Sequence, residues 1–187
     1  MKLNNTYFIF RHAESEANSQ EIVSIWPEKF YNPLTEKGKE QIKKIIPELK
    51  RKKIDFIFSS DLLRAKQTAE IIGKGLKLQI KIDKRLREIN VGALNGKSAD
   101  EWYSFFNHPM ERLTKRPPRG ENLIDVKKRI LGFIREIDKK YKNKRILIVS
   151  HKDTLLALLG AIREFSNKEL IINHDSLSLN TGELKKL

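Results

Sequence analysis

Short apolar runs alternate along this chain with longer stretches whose apolar positions recur every three or four residues, and the two periods predict different elements. Thr6-Tyr7-Phe8-Ile9-Phe10, Ile54-Asp55-Phe56-Ile57-Phe58 and Arg145-Ile146-Leu147-Ile148-Val149 are nearly unbroken in apolar residues. Such runs predict central strands covered on both faces, where polar alternation is not needed. Leu78 to Ile82 alternates and predicts a strand nearer the edge, and Ser176 to Leu179 is a further strand candidate. Between the strands, Leu62, Ala65, Ala69 and Ile72 predict a helix with Asp61 as its cap and Gly73 as its stop. Thr35 opens another, carrying Ile42, Ile45 and Leu49, which Pro47 is expected to kink or shorten. A longer helix runs from Leu123 to Tyr141 behind Asn122 as cap, and Ser98 to Glu101 reads as a capping box. The proline-rich segment from Phe106 to Gly120 predicts a loop. Strands alternating with helices, without a repeat or a dividing linker, predict an α/β fold. The expected architecture is a three-layer α/β/α sandwich with a mostly parallel central sheet, one domain over residues 1–187.

Chemistry collects where strands run into helices. The first strand leads into Arg11-His12-Ala13-Glu14-Ser15-Glu16-Ala17-Asn18, the second into Ser59 through Arg64, and the late one into Ser150-His151-Lys152-Asp153. Ligands bind at the carboxyl ends of the strands in open parallel sheets, so the three junctions predict one crevice. A histidine neutral at one nitrogen is a competent nucleophile toward phosphorus, and its unperturbed pKa of about 6.5 leaves that form available near neutrality. The transferring phosphoryl group needs fixed cations on its equatorial oxygens, which the guanidinium forks of Arg11 and Arg64 suit. His151, if protonated, supplies another donor. The leaving oxygen needs a proton, and Glu88 in the segment Leu86 to Gly92 is the candidate acid, then base toward water.

Charge and composition narrow the alternatives. The net charge of +14 raises nucleic-acid or membrane-surface binding, but the strongest basic run, Lys50 to Lys53, falls at the end of a predicted helix where the dipole favours cations. No zinc-finger spacing or aromatic-interleaved RNA motif accompanies it, so neither nucleic acid nor membrane is expected as a partner. Without Cys, disulfides and thiolate zinc sites are excluded. No apolar run is long enough to span a bilayer, and residues 1–5 carry no secretory pattern, so the cytoplasm is the expected compartment.

The motifs resemble, in order, those of the histidine phosphatase superfamily, which includes the phosphoglycerate mutases. Arg11 to Asn18 is similar to its first signature, Asn32 to Gly38 to its proline-leucine-threonine segment, and Ser59 to Ala69 to its second motif. Leu86 to Gly96 resembles the acid-bearing loop, Gly120-Glu121-Asn122 a later segment, and Ile148 to His151 the last motif. The resemblance implies a phosphoglycerate mutase-like fold, His12 as nucleophile, Arg11, Arg64 and His151 as the phosphate pocket, Glu88 as proton donor and Asn18 as a phosphate or substrate contact. It implies no metal and no organic cofactor. Ala13 and Lys152 stand where the family usually has glycine, and Lys152 would be strained if its φ were positive.

The expected activity is metal-independent hydrolysis of a small phosphorylated metabolite through a phosphohistidine. A phosphoglycerate mutase is the alternative within enzymes, although primed mutases are usually longer. A non-catalytic binding or regulatory protein is the alternative outside them. Bland roles compete residue by residue: His151 as a hydrogen-bonded core histidine, Arg64 in a surface pair with Asp61, Glu88 paired with Arg87. His108 and His174 lie outside any motif and are expected to be surface or structural. Trp26 and Phe30 are placed either at the substrate mouth or in packing. Lys115, Arg116 and Arg119, with Lys152 and Arg87, form a candidate basic rim for a substrate with more than one anionic group.

Overall fold

The computed structural model describes residues 1–23, 28 and 30–187. Trp26 lies outside them. The elements follow as β1 (Thr6–Arg11), α1 (Glu16–Ser19), α2 (Glu36–Arg51), β2 (Phe56–Ser59), α3 (Leu63–Leu76), β3 (Ile80–Ile82) and α4 (Ala99–Ser104). The second half of the chain contributes α5 (Leu123–Lys140), β4 (Arg145–Ser150), α6 (Lys152–Ile162), α7 (Asn167–Ile172), α8 (His174–Leu177) and β5 (Leu184–Lys186). One sheet takes the strands in the order β3-β2-β4-β1-β5, parallel except for β5, which runs antiparallel to β1.

The unbroken apolar runs have the reason expected of them. In β1, Tyr7 and Ile9 join a core shared with α5 and α6, while Phe8 and Phe10 join a second core with α2 and α3. Alternate side chains point to opposite faces of a strand, so a strand covered twice must be apolar at both sets of positions. The helices form the two outer layers, as the α/β/α expectation requires.

Several local readings change. Asp61 does not cap α3; Leu62 holds the cap position, its N–H bonded to Ser60 Oγ (3.2 Å), and Asp61 instead accepts two bonds from Arg87. Gly73 does not stop that helix, which continues to a left-handed Lys77 (φ 58°). A Cβ at Gly73 would come within 2.7 Å of the Leu78 carbonyl oxygen, so the glycine serves close packing of the returning chain. Thr35 caps α2 through Gly38 N–H, and the helix runs through Pro47 to Arg51 without being shortened. The segment Ser176 to Leu179 is not a strand: its first residues close α8, and the edge strand is β5, whose Leu184-Lys185-Lys186 carries no apolar run to announce it. Inside the predicted proline-rich loop, Pro109–Leu113 winds into a 3-10 helix. The box at Ser98–Glu101 forms as expected, and Asn122 caps α5 as expected, with Asp125 completing a box there. Among the described residues no helix is long and apolar enough to cross a membrane.

The start of β1 is fastened to α5 by one carboxylate. Asp138 accepts from Asn4 N (3.0 Å), Asn5 Nδ2 (2.9 Å) and the Tyr7 hydroxyl (3.0 Å). Burial by itself would raise its pKa, but these donors overcome that and hold it below the ordinary carboxylate value. The linkage therefore has the sign of a depressed acid: its stabilisation is present above about pH 4, the unfolded value, and is lost as pH falls through the folded one. Asp138→Ala is expected to lower the unfolding free energy at pH 7 by about 2–3 kcal/mol, with a smaller difference from wild type at pH 3, read from urea denaturation midpoints.

Candidate active site

The parallel strands deliver the three junctions to one end of the sheet. His12 follows directly on β1, and its N–H donates to Ser150 O (2.9 Å) at the end of β4. Ser60 N–H donates to Val149 O (3.1 Å), so the loop after β2 is tied to the same strand. His151 caps α6, and Arg64 lies in the first turn of α3. His12, Arg64 and His151, separated by up to 139 positions, are thereby brought together.

His12 is buried, and both ring nitrogens are committed. Nδ1 lies 2.9 Å from the Ala13 carbonyl oxygen, which can only accept, so Nδ1 carries the proton. Arg64 Nε donates to Nε2 (3.1 Å), which therefore presents a lone pair. Burial, reinforced by the Arg64 and Arg11 charges, pushes the His12 pKa well below its ordinary value. The ring is held neutral in the Nδ1–H tautomer. The His151 ring sits 4.9 Å away, centroid to centroid, at 58°. It is fully buried, and neither of its nitrogens meets a hydrogen-bond partner among the described residues, which removes the reading of a satisfied core histidine. Burial and the neighbouring cations depress its pKa as well, so the protonation on which its donor role was made conditional is disfavoured, and a neutral ring still has one N–H to offer.

Arg64 is 4% exposed and is no surface partner of Asp61; burial takes its pKa down to about 10. The Glu28 carboxylate approaches its Nη1 at 3.5 Å. Arg11 donates from Nη1 to Leu179 O (2.9 Å), and its Nε, also buried, has no hydrogen-bond partner among the described residues. Ala13 packs where its N–H reaches Thr68 Oγ1 (3.2 Å), and Lys152 begins α6 in ordinary helical backbone, so neither departure from glycine creates strain.

Glu88 comes from the loop between β3 and α4. Its Oε1 accepts from Ile89 N (2.9 Å), with longer contacts from Thr154 N (3.3 Å) and from Asp153 N to Oε2 (3.4 Å) at the start of α6. It does not pair with Arg87, which is bound to Asp61 at 2.7 and 2.6 Å. Burial first, and then the nearby Asp153 charge, raise its pKa against the pull of Arg64 and Arg11. The loop is strapped in place by Arg129 of α5, which donates to Arg85 O (2.7 Å) and Glu88 O (3.0 Å) while paired with Glu121 (2.9 Å). Glu121 accepts in turn from Asn90 N (2.9 Å). Gly92 (φ +54°) lets the strap close, because a Cβ there would lie 2.1 Å from Pro118 O.

Arg11, His12, Arg64, Glu88, Asn18 and Lys152 all line one cleft of about 150 Å³. Asn18 spends its Oδ1 on Ser15 N (3.1 Å) and the Ser15 hydroxyl (2.9 Å), which leaves its amide nitrogen to face a ligand. Asn32 was not singled out from sequence, yet it also lines the cleft, accepting from Ala17 N (2.9 Å), with its buried Nδ2 unpartnered among the described residues. Its only signal was a place in the Asn32 to Gly38 segment. Of the candidate basic rim, Lys152 alone lines the cleft: Arg87 is held by Asp61, Lys115 by Glu111 and Arg116 by Asp125. Phe30 is exposed and is not among the lining residues. His108 is an exposed cap accepting from Met110 N, whereas His174 is buried against Asp153. Among the described residues no three His, Cys, Asp or Glu gather as metal ligands.

Residues 7–186 match the family model described as histidine phosphatase superfamily (branch 1). The chain belongs to that superfamily. Among this histidine phosphatase's relatives, phosphoserine phosphatase 1 of Hydrogenobacter thermophilus is 31% identical over 159 residues, covering 82% of this chain and 74% of that protein. The probable phosphoglycerate mutase GpmB of Escherichia fergusonii is 31% identical over 160 residues, 83% of this chain and 73% of its own length. The solved structure of Bacillus stearothermophilus YhfR matches with a TM-score of 0.78 at 31% identity, over 89% and 83% of the two chains. A mycobacterial glucosyl-3-phosphoglycerate phosphatase solved with VO3 has a TM-score of 0.83 over 97% and 92%, at 22% identity, a likeness of fold.

The tautomer of His12 in this histidine phosphatase is directly measurable. In 15N-labelled protein at pH 6, the His12 Nε2 resonance is expected at the shift of an unprotonated ring nitrogen and Nδ1 at that of an N–H. Free histidine would be mostly protonated there. A doubly protonated His12 at pH 6 would contradict the geometry.

Proposed function

We propose that this chain is a phosphomonoester hydrolase that passes the phosphoryl group through His12. The observation that carries the reading is the state of His12: a neutral ring whose unprotonated Nε2 accepts from Arg64 Nε (3.1 Å) beside a cleft lined by Arg11 and Arg64, so that Arg64 frees the lone pair when it turns to a phosphate oxygen. A nucleophile for phosphorus needs that lone pair, and the transferring group needs those cations. In the first step the phosphate is gripped by Arg11, Arg64 and the His151 N–H, with the Asn18 amide as a further donor. Nε2 forms a bond to phosphorus as the ester oxygen departs, taking a proton from Glu88. In the second step Glu88, now a carboxylate, takes a proton from water, whose oxygen displaces His12 and releases phosphate. The acid role suits a carboxyl whose pKa burial has raised.

A cleft of about 150 Å³ suits a small phosphorylated metabolite, well below the roughly 300 Å³ at which drug-sized pockets begin. Such substrates are charged and do not leave cells by diffusion through lipid, which supports a cytoplasmic setting and gives no part to nucleic acid or membrane. The mutase reading has a specific observation behind it, the likeness to the protein named probable phosphoglycerate mutase GpmB. It would use the same histidine and return the phosphoryl group to a bound acceptor.

Release of phosphate from p-nitrophenyl phosphate in EDTA is expected for wild type and to fall by about a thousandfold or more in His12→Ala. Turnover retained in that variant would overturn the reading. Formation of an isomer without free phosphate, dependent on a bisphosphate primer, would select the mutase. Glu88→Gln is expected to slow hydrolysis of an alkyl phosphate by about 10²–10⁴-fold and to slow the aryl phosphate less, because p-nitrophenolate leaves without a proton.

A further inference from the structure

Beside Glu88, with Asp153 itself on the wall of the cleft, lies a buried array that none of the steps above uses. Asp153, on the first turn of α6, is 7% exposed; Arg112, from the 3-10 helix, is 6% exposed and donates from Nη2 to Asp153 Oδ1 (2.9 Å). His174, at the start of α8, is 8% exposed and lies 3.3 Å from the same oxygen through Nε2, while its Nδ1 lies 2.9 Å from Asp175 Oδ1. Three separate elements therefore converge on one carboxylate. A charge this deep is costly unless paired, so the array needs an account.

Its position supplies one. Asp153 N reaches Glu88 Oε2 (3.4 Å), the next residue's N reaches Oε1 (3.3 Å), and Thr154 Oγ1 donates to Arg87 O (2.7 Å). The turn that carries Asp153 is thus the seat of the Glu88 carboxyl. We infer that Asp153, clamped by Arg112 and His174, is a positioning residue for Glu88: it fixes the turn against which the carboxyl rests and governs when that carboxyl gives up its proton. The inference rests on Glu88 as proton donor.

The electrostatics agree in sign. Glu88 faces Arg11 from β1 and Arg64 from α3, both of which favour its ionised form, and neutral His12 and His151 beside them. Arg129 of α5 meets its backbone carbonyl. Lys152, on the same turn as Asp153, lines the cleft, and Arg87 next to Glu88 is held by Asp61. Asp153 is the anion among the groups that act on Glu88, and it opposes the two arginines. Burial alone would raise Asp153, but Arg112 and His174 hold it far below the ordinary carboxylate value, so it stays charged while its neighbour is pushed toward the protonated form. Two close carboxyls are driven apart in this way when one of them has a private cation. Replacing Asp153 by Asn removes the anion and also leaves the Arg112 charge unopposed, and both changes favour ionised Glu88. Replacing Arg112 by Gln does the reverse.

The test is a 13C NMR titration of the Glu88 carboxyl in the full chain, with Glu88→Gln to assign the resonance, alongside kcat and KM for an alkyl phosphate. Asp153→Asn is expected to move the Glu88 midpoint down by about one pH unit, and to lower kcat at pH 7 about tenfold with KM nearly unchanged. Arg112→Gln is expected to move the midpoint up. A purely structural array would not give shifts of opposite sign. If Asp153→Asn fails to fold, Arg112→Gln decides alone: an upward shift supports the inference, and no shift or a downward one overturns it. Midpoints equal to wild type in both variants overturn it even if Glu88→Gln is slow. A Glu88→Gln enzyme as fast as wild type overturns the proton-donor reading instead, and with it the purpose given to the array.

Discussion

One buried proton organises this site: the Nδ1–H of His12, given to the Ala13 carbonyl at 2.9 Å. Because that nitrogen is spent on the backbone, the other has no choice but to offer its lone pair. The surroundings enforce the assignment, since a second proton on this buried ring would add a charge beside two guanidinium groups. The sheet then has a definite task. It must hold a cation-rich cup closed around an imidazole, against the mutual repulsion of Arg11 and Arg64, with a pair of strand ends and two helix starts.

That cup explains the distribution of acids around it. Carboxylates in direct contact would quench the arginines, and those nearby are kept at a remove or given partners of their own. Asp61 is matched by Arg87, Glu121 by Arg129 and Asp153 by Arg112. Glu28 reaches Arg64 only at 3.5 Å and remains partly exposed. Glu88 alone is left without a cation of its own among these acids, which is the environment in which a carboxyl stays neutral long enough to act as an acid. The overall charge of +14 is therefore not the feature that matters at the site; the arrangement of matched and unmatched charges is.

Much of this was legible in the residues. The strands β1, β2 and β4 declared themselves because burial on both faces demands unbroken apolar runs, and the polar residues that follow each run fall at the sheet's carboxyl end. His12, Arg64, Glu88 and Asn18 were picked out for that reason and from the order of the motifs, and the structure brings them into one cleft. What escaped notice depended on contacts between distant segments. Asn32 was read only as part of the Asn32 to Gly38 segment, and His174 only as surface or structural, because nothing local marks a side chain that will be buried by another element. Asp61 was misread as a cap since its partner, Arg87, is 26 positions away. β5 was missed because an edge strand of Leu184-Lys185-Lys186 needs only backbone complementarity, while Ser176 to Leu179 has the composition of a strand and lacks a free sheet edge.

The strand order also has a consequence in time. β1, synthesised before both of its neighbours, is hydrogen-bonded on one side to β4, with Thr6 opposite Arg145, and on the other to β5, with Phe10 opposite Leu184. His12 therefore leaves the ribosome long before either of the strands that seat it. A nascent chain carries an Arg-His dipeptide with no pocket around it, and such long-range pairing makes assembly slow and cooperative. Reactivity at His12 cannot precede the completed sheet.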